Sequence, residues 1–347
     1  MKILFTVILI IQTSLLFSKE MISNFLIKTT PLKMMAISNH FEIVKKRADQ
    51  SFEVYVPDNL KAIKLLFKLA PNAKLLEKNI HANISDKNFE GNQYRDFKKV
   101  ELDLKNLAEV YKDFVELITY GNSPEGRPLY ALKVNASKSI KPELMVTAAT
   151  HGDELITVEV LFSLMDELLK GFNVENRITD ILLNHTIYFI PVVSPDSFEN
   201  RERYVQGIDP NRSYPWPENE NNKPVSVIQS LINFSNQHKF VSSLDLHAYG
   251  KLIMYPWAFT TRPPSFQDET NMKNLVENMA VDNHYKNGQI SKTIYIAKGS
   301  SADYYYWKNK TKAIAVEIGN EKIPNYRKIQ SIINESREMI WTFLENK

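Results

Sequence analysis

The stretch "ATHGDELITVEVLF" (148–161) sets His151 and Glu154 three residues apart, where an apolar run passes into helical spacing. A histidine and a carboxylate at that separation can reach one ion if they lie at the C-terminal end of a buried strand, where α/β sheets build their sites. The same residues also suit a plain helix start, with Asp153 and Glu154 favouring the N-terminal dipole. His247 closes another apolar run, "FVSSLDLH", 96 residues after His151. Alone it fits a satisfied loop or core histidine; with His151 and Glu154 it completes a His, Glu, His set. Three protein ligands and one open position make a catalytic zinc site, with bonds of about 2.0–2.2 Å. Glu317 closes a third run, "KAIAVE". A carboxylate there either points to solvent or is costly to bury without a partner. Beside a metal it can serve as base toward the water that the metal acidifies.

These residues need elements to hold them. "PELMVTAAT", "TIYFIPVVSPD", "FVSSLDLHAYG", "KTIYIAK" and "KAIAVEIG" read as strands, and "GNSPEGRPLYALKVN" as a turn leading into one. "LDLKNLAEVYKDFVELI", "ELITVEVLFSLMDELLKGF" and the amphipathic C-terminus "YRKIQSIINESREMIWTFLENK" have helical spacing. Strands alternating with helices over 100–347 predict an α/β domain, a mixed, mostly parallel twisted sheet with helices on both faces. Residues 20–90 read as a separate small α+β domain. "HFEIVKK", "SFEVYVP" and "NAKLLEKNI" alternate as strands, and "DNLKAIKLLFKLA" is a helix capped at Asp58-Asn59. The polar stretch before residue 100, placed at 91–99, is expected to be a linker.

The 347 residues are 44% hydrophobic and 24% charged, an ordinary globular composition. A net charge of +3 with no basic stripe argues against nucleic acid. The absence of cysteine excludes disulfides, thiol nucleophiles and thiolate ligands, so a metal here must use His and carboxylate side chains. Residues 1–18, with Lys2 ahead of an apolar run to Phe17, fit a secretory signal peptide cleaved near Ser18. That implies a secreted or periplasmic protein with no stable membrane span after cleavage. A retained anchor is the alternative, but the run is short for a bilayer.

Residues 100–347 resemble the zinc carboxypeptidase family, the carboxypeptidase A-like metallopeptidases. The resemblance rests on "EGRPLYALKV", "HGDE", "SPDSFENRERYVQGIDPNRSYPW", "LDLHAYGKLIMYPW" and "TIYIAKGSSADYYYW" with "AVEIG", in the family's order. It implies one Zn2+ per chain on His151, Glu154 and His247. Glu317 would be the general base and would pass the proton to the leaving amine. Arg203 would hold the oxyanion, with Arg201 as the competitor for that place. Asn211 and Arg212 would clamp the substrate's terminal carboxylate. Tyr295, 22 residues before Glu317, would cap the substrate. Asp209 would accept the other ring N–H of His151. Ala302 would form the base of the specificity pocket, small and neutral, suiting a neutral terminal residue.

The pattern departs from the family's at Ser194 and Ser197 around Pro195-Asp196, at Pro210 and at Ser213, which leaves the charged groups in place. Asp153 has no assigned role, and Asp245 fits either an outer contact of His247 or a structural group. His40, His81, His185, His238 and His284 read as structural. The resemblance implies a secreted zinc metallocarboxypeptidase that hydrolyses C-terminal peptide bonds through zinc-activated water, acting on peptide or protein C-termini. The alternatives are a peptidase or amidase of peptidoglycan stem peptides on the same fold, and an inactive peptide-binding module. Residues 20–90 are either a pro-domain removed by cleavage near "YRDFKK" or a permanent accessory domain.

Overall fold

A computed structural model describes residues 22–78, apart from 39 and 48, and residues 94–346, apart from 138. The proposed signal peptide and residues 91–93 of the proposed linker lie outside the described residues.

Two sheets organise the chain. The first is antiparallel, in the order β2-β3-β1-β4, from β1 (Ile22–Ile27), β2 (Glu42–Lys46), β3 (Phe52–Pro57) and β4 (Lys74–Glu77). Its strand β3 alternates buried and half-buried residues, the pattern of a sheet covered on one face. Helices Pro31–Ser38 and Leu60–Leu69 accompany it. Asn59 caps the second by accepting from the Ala62 N–H at 2.8 Å. Phe25, Met34, Ile37, Val54, Val56 and Leu66 form a core of its own.

The second sheet has eight strands in the order β11-β10-β12-β9-β7-β8-β6-β5. They are β5 (Val115–Asn122), β6 (Pro128–Val134), β7 (Glu143–Ala148), β8 (Thr186–Ile190), β9 (Phe240–His247), β10 (Leu252–Tyr255), β11 (Lys286–Gln289) and β12 (Lys312–Glu317). The central run β8-β7-β9-β12 is parallel, and β5, β6 and β10 join antiparallel. Every residue of β8 and all but the first of β7 are buried, so both faces are covered. Helix Leu155–Gly171 packs against the C-terminal helix Ile329–Glu345, which packs against Phe266–Met279. Helix Ser301–Asn309 lies on β9 and β12, and Ser226–Ser235 on β5. The expected mixed α/β sheet is therefore present.

Three local expectations need correction. The helix expected over "LDLKNLAEVYKDFVELI" is the helix Phe97–Val110, a turn, and then β5. The β-branched and aromatic residues after Val115 pair with β6 instead of continuing the helix. "KTIYIAK" is not a strand: a short helix, Ile290–Thr293, leads into irregular chain. There the N–H groups of Ser291 and Ala297 bond the carbonyls of Trp257 and Ala258. Residues 97–99 of the proposed linker are helical, because Asp96 caps that helix by accepting from the Lys99 N–H at 2.7 Å.

Candidate active site

The residues singled out for chemistry meet at the C-terminal ends of the parallel strands. His247 is the last residue of β9, and Glu317 the last of β12, directly opposite it in the ladder. His151 and Glu154 follow the end of β7 and lead into helix Leu155–Gly171. This turn depends on Gly152, because a Cβ there would lie 2.1 Å from the carbonyl carbon of Ser197. Only a residue without a side chain permits that approach.

Among the described residues, one set of His and carboxylate groups converges closely enough to hold a metal ion, namely His151, Glu154 and His247, all buried. His151 Nδ1 lies 2.8 Å from Glu154 Oε1, and His247 Nδ1 lies 3.1 Å from Glu154 Oε2. The two Nδ1 atoms are 3.2 Å apart. Tetrahedral bonds of about 2.0–2.1 Å put neighbouring ligand atoms about 3.3 Å apart, so this donor set fits zinc in both chemistry and spacing. The outer ring nitrogens also have partners. His151 Nε2 is 3.0 Å from Asp209 Oδ1, and His247 Nε2 is 3.0 Å from Asp245 Oδ2. A carboxylate on the far nitrogen fixes the tautomer and leaves Nδ1 as the ligand atom.

Both outer carboxylates are well held. Asp245 accepts from Thr147, Thr150 and Ser301 hydroxyls at 2.7–3.1 Å. Burial would raise its pKa, but His247 and these donors bring it down to about 2. Asp209 accepts from Arg203 Nη2 at 2.8 Å and Nε at 3.1 Å, and from the Asn211 N–H at 2.9 Å. Despite burial, Arg203 and His151 hold it well below the usual carboxylate range. Burial likewise opposes ionisation of Glu154, yet the two histidines hold it well below its ordinary value. Glu317 behaves oppositely. Burial pushes it up to about 7, with Glu154 reinforcing the shift and His247 opposing it.

The remaining candidates line the same cleft. Arg203 Nη1 is 3.2 Å from His151 Nδ1 and 3.6 Å from Glu154 Oε1. Arg201 is not in the cleft wall; it closes helix Pro195–Asn200 in left-handed conformation. Asn211 and Arg212 sit in a one-turn helix capped by Asp209. Asn211 Nδ2 is 3.0 Å from His247 Nε2, and its Oδ1 accepts from the Ser301 N–H at 2.8 Å. Arg212 Nη2 donates to Tyr295 Oη at 2.7 Å. Ala302 is buried and lines the same cleft as the apolar residues Leu252, Met254, Ala297 and Ala315, with Lys286 and Glu317 also in its wall. His185 and His238 lie outside this cleft, against the Ile181 carbonyl and the Glu143 carboxylate.

Two cleft residues had no signal in the sequence. Glu42, on β2 of the small N-terminal unit, accepts from Arg203 Nη1 at 3.0 Å and from Lys322 Nζ at 2.5 Å. Lys322 also donates to Asp153 Oδ2 at 2.7 Å, giving Asp153 a partner. These ion pairs join positions more than a hundred residues apart, so no local spacing reveals them. Asp245 had one readable signal: two residues before His247 on a strand, it faces the same side of the sheet.

The zinc carboxypeptidase family profile matches residues 100–339, more than two thirds of the chain, and includes every one of the ligand candidates. The chain belongs to the zinc carboxypeptidase family. Carboxypeptidase A1 of Sus scrofa is 26% identical over 235 residues, which cover 58% of this chain and 56% of that protein. Carboxypeptidase D of Rattus norvegicus is 21% identical over 329 residues, covering 84% of this chain and 24% of that protein. The chain thus spans between a quarter and about half the length of these relatives. A crystal structure of carboxypeptidase A from Helicoverpa armigera superposes with a TM-score of 0.77 at 16% identity, covering 93% of this chain and 96% of that one. The crystal structure of thrombin activatable fibrinolysis inhibitor gives 0.73 at 17% identity, covering 94% and 98%. These superpositions show the zinc carboxypeptidase fold, and their coverage takes in the N-terminal unit as well as the larger domain. No helix among the described residues is long and apolar enough to cross a membrane.

Proposed function

We propose that this chain is a zinc carboxypeptidase in activity as well as family, releasing single residues from the free C-termini of peptides. The observation that carries the reading is the convergence of His151, Glu154 and His247 within 4.8 Å, with Glu317 in register beside His247. Zinc bound there would polarise the scissile carbonyl and acidify a water. Glu317, in register with His247, accepts the proton of the attacking water and delivers it to the leaving amine. Arg203, aimed at the ligand cluster and braced by Asp209, supplies fixed positive charge for the developing oxyanion. Asn211 and Arg212 bind the terminal carboxylate, and Tyr295 closes over the last residue. Ala302, small and neutral in the cleft wall, suits a neutral terminal side chain.

Residues 20–90 act as a pro-unit. The Glu42 carboxylate occupies the guanidinium assigned to the oxyanion, and Tyr295 packs against the apolar core of the N-terminal unit. Cleavage close to "YRDFKK" meets an ordered chain, since Arg95 is tied to Asp103 and Glu159 and Lys98 and Lys99 are helical. The leader-like residues 1–18 support export.

The test is product analysis by mass spectrometry. The zinc-loaded chain, before and after limited proteolysis, is incubated with peptides ending in a free carboxylate, with their amidated forms, and with purified muropeptides. Stepwise loss of single residues from the free acids alone is the expected result. Cleavage confined to muropeptides, or equal cleavage of the amides, would overturn the assignment.

A further inference from the structure

Lys322 brings a buried ammonium to the cleft between two carboxylates, Asp153 and Glu42. Its carbonyl accepts from the Ile156 N–H at 3.2 Å, which pins it at the start of the helix that follows Glu154. Its ammonium lines the cleft, with the side chain 10% exposed, between Asp153 on one side and Glu42 on the other. An isolated buried ammonium is costly, and one carboxylate, Asp153, already neutralises it. Arg203 is likewise matched within the larger domain by Asp209. Glu42 is a second carboxylate laid across both cations, and it comes from the other unit. Two cations that share a carboxylate borrowed from a separable element form a carboxylate cradle.

The contacts also give the cradle a direction. They run from Lys322 through Glu42 to Arg203, then through Asp209 to Asn211 and Arg212. A peptide with its terminal carboxylate at Arg212 and its scissile carbonyl at Arg203 continues toward Lys322 with the residue on the amino side of that bond. Within the carboxypeptidase reading, on which this inference rests, we infer that Lys322 is a specificity-determining residue that selects an acidic side chain at the penultimate position. Glu42 occupies the place of that side chain in the intact protein. The substrate class is then a peptide ending in an acidic residue followed by a neutral one.

The test uses the full zinc-loaded chain carrying Glu42→Ala, which vacates the cradle, with melting and zinc content checked against the unmutated chain. The probes are N-acetyl-Glu-Phe and N-acetyl-Gln-Phe, which differ at the penultimate position by one charge. Titration calorimetry is expected to show about tenfold tighter binding of the glutamyl peptide, the gain from one partly buried ion pair. That preference is expected to vanish in Glu42→Ala/Lys322→Met, with the glutaminyl peptide changed less than about twofold. Because losing Lys322 strands Asp153, the same comparison is made with Asp153→Asn added, which removes the lone buried charge. Equal affinity for the two peptides, binding of neither, or a preference that survives both Lys322 variants overturns the inference. Release of phenylalanine, followed separately, bears on the peptidase reading. Glutamyl-selective binding without release sinks that reading and leaves the cradle, whereas unselective release does the reverse.

Discussion

At the scale of single residues, the cleft holds carboxylates driven in opposite directions by their surroundings. Glu154, Asp209 and Asp245 are buried yet stay ionised because histidines, Arg203 and hydroxyl donors face them. For Glu317 burial, reinforced by Glu154, outweighs the pull of His247 and lifts it to about 7. The consequence for stability has a definite sign. With a folded pKa above the ordinary value of 4.5, the folded state binds more protons than the unfolded state between pH 4.5 and about 7, so stability falls as pH rises through that window. Metal-free protein carrying Glu317→Gln is therefore expected to melt a few degrees higher than the unmutated chain at pH 8 and nearly identically at pH 4. Equal melting temperatures at pH 8 would show that Glu317 is not held in a site hostile to its charge. Bound zinc, a nearby dication, is expected to reduce the difference by favouring the carboxylate.

At the scale of elements, three parallel strands ending side by side turn distant residues into one site. β7, β9 and β12 deliver His151 with Glu154, His247, and Glu317, and a narrow turn at Gly152 makes the first pair possible. Replacing Gly152 with Ala drives a methyl group into the Ser197 backbone. It is expected to cost more than about 2 kcal/mol in denaturant unfolding and to weaken zinc binding in chelator competition. Unchanged zinc affinity would mean that the His151–Glu154 turn does not need the close approach. These strand ends were legible in the sequence because each site residue terminates a conspicuous apolar run, and because His151 and Glu154 share one short motif. Other segments misled for physical reasons. The helical spacing of "NLAEVYKDF" ran unbroken into "VELI", yet pairing with β6 won over local propensity from Val115 onward. The apolar residues of "KTIYIAK" read as a strand, but Ile294, Tyr295 and Ala297 line the cleft instead of pairing in a ladder. Glu42 and Lys322 were illegible, since an ion pair formed across two units leaves no periodicity in either.

At the scale of the whole molecule, the N-terminal unit and the larger domain meet through charge. Glu42 is buried, which raises its pKa, but Arg203 and Lys322 outweigh that and hold it below its ordinary value. Its contribution to docking is therefore present above about pH 4.5 and lost as pH falls through the depressed value. Glu42→Gln is expected to loosen the unit and raise hydrolysis of a neutral peptide by the intact chain severalfold, read as initial rate. Hydrolysis no faster than that of the unmutated chain would mean that Glu42 does not hold the cleft closed.

The most direct test of the central claim joins metal and chemistry in one sample. Zinc content and release of a C-terminal residue are measured together on the proteolytically treated native chain and on its Glu317→Gln counterpart. The expected result is one zinc per chain in both, chelator-sensitive release by the native protein, and a loss of at least about a hundredfold in the variant. Release undiminished in Glu317→Gln, or release by the native protein that persists after its zinc is stripped, would contradict it.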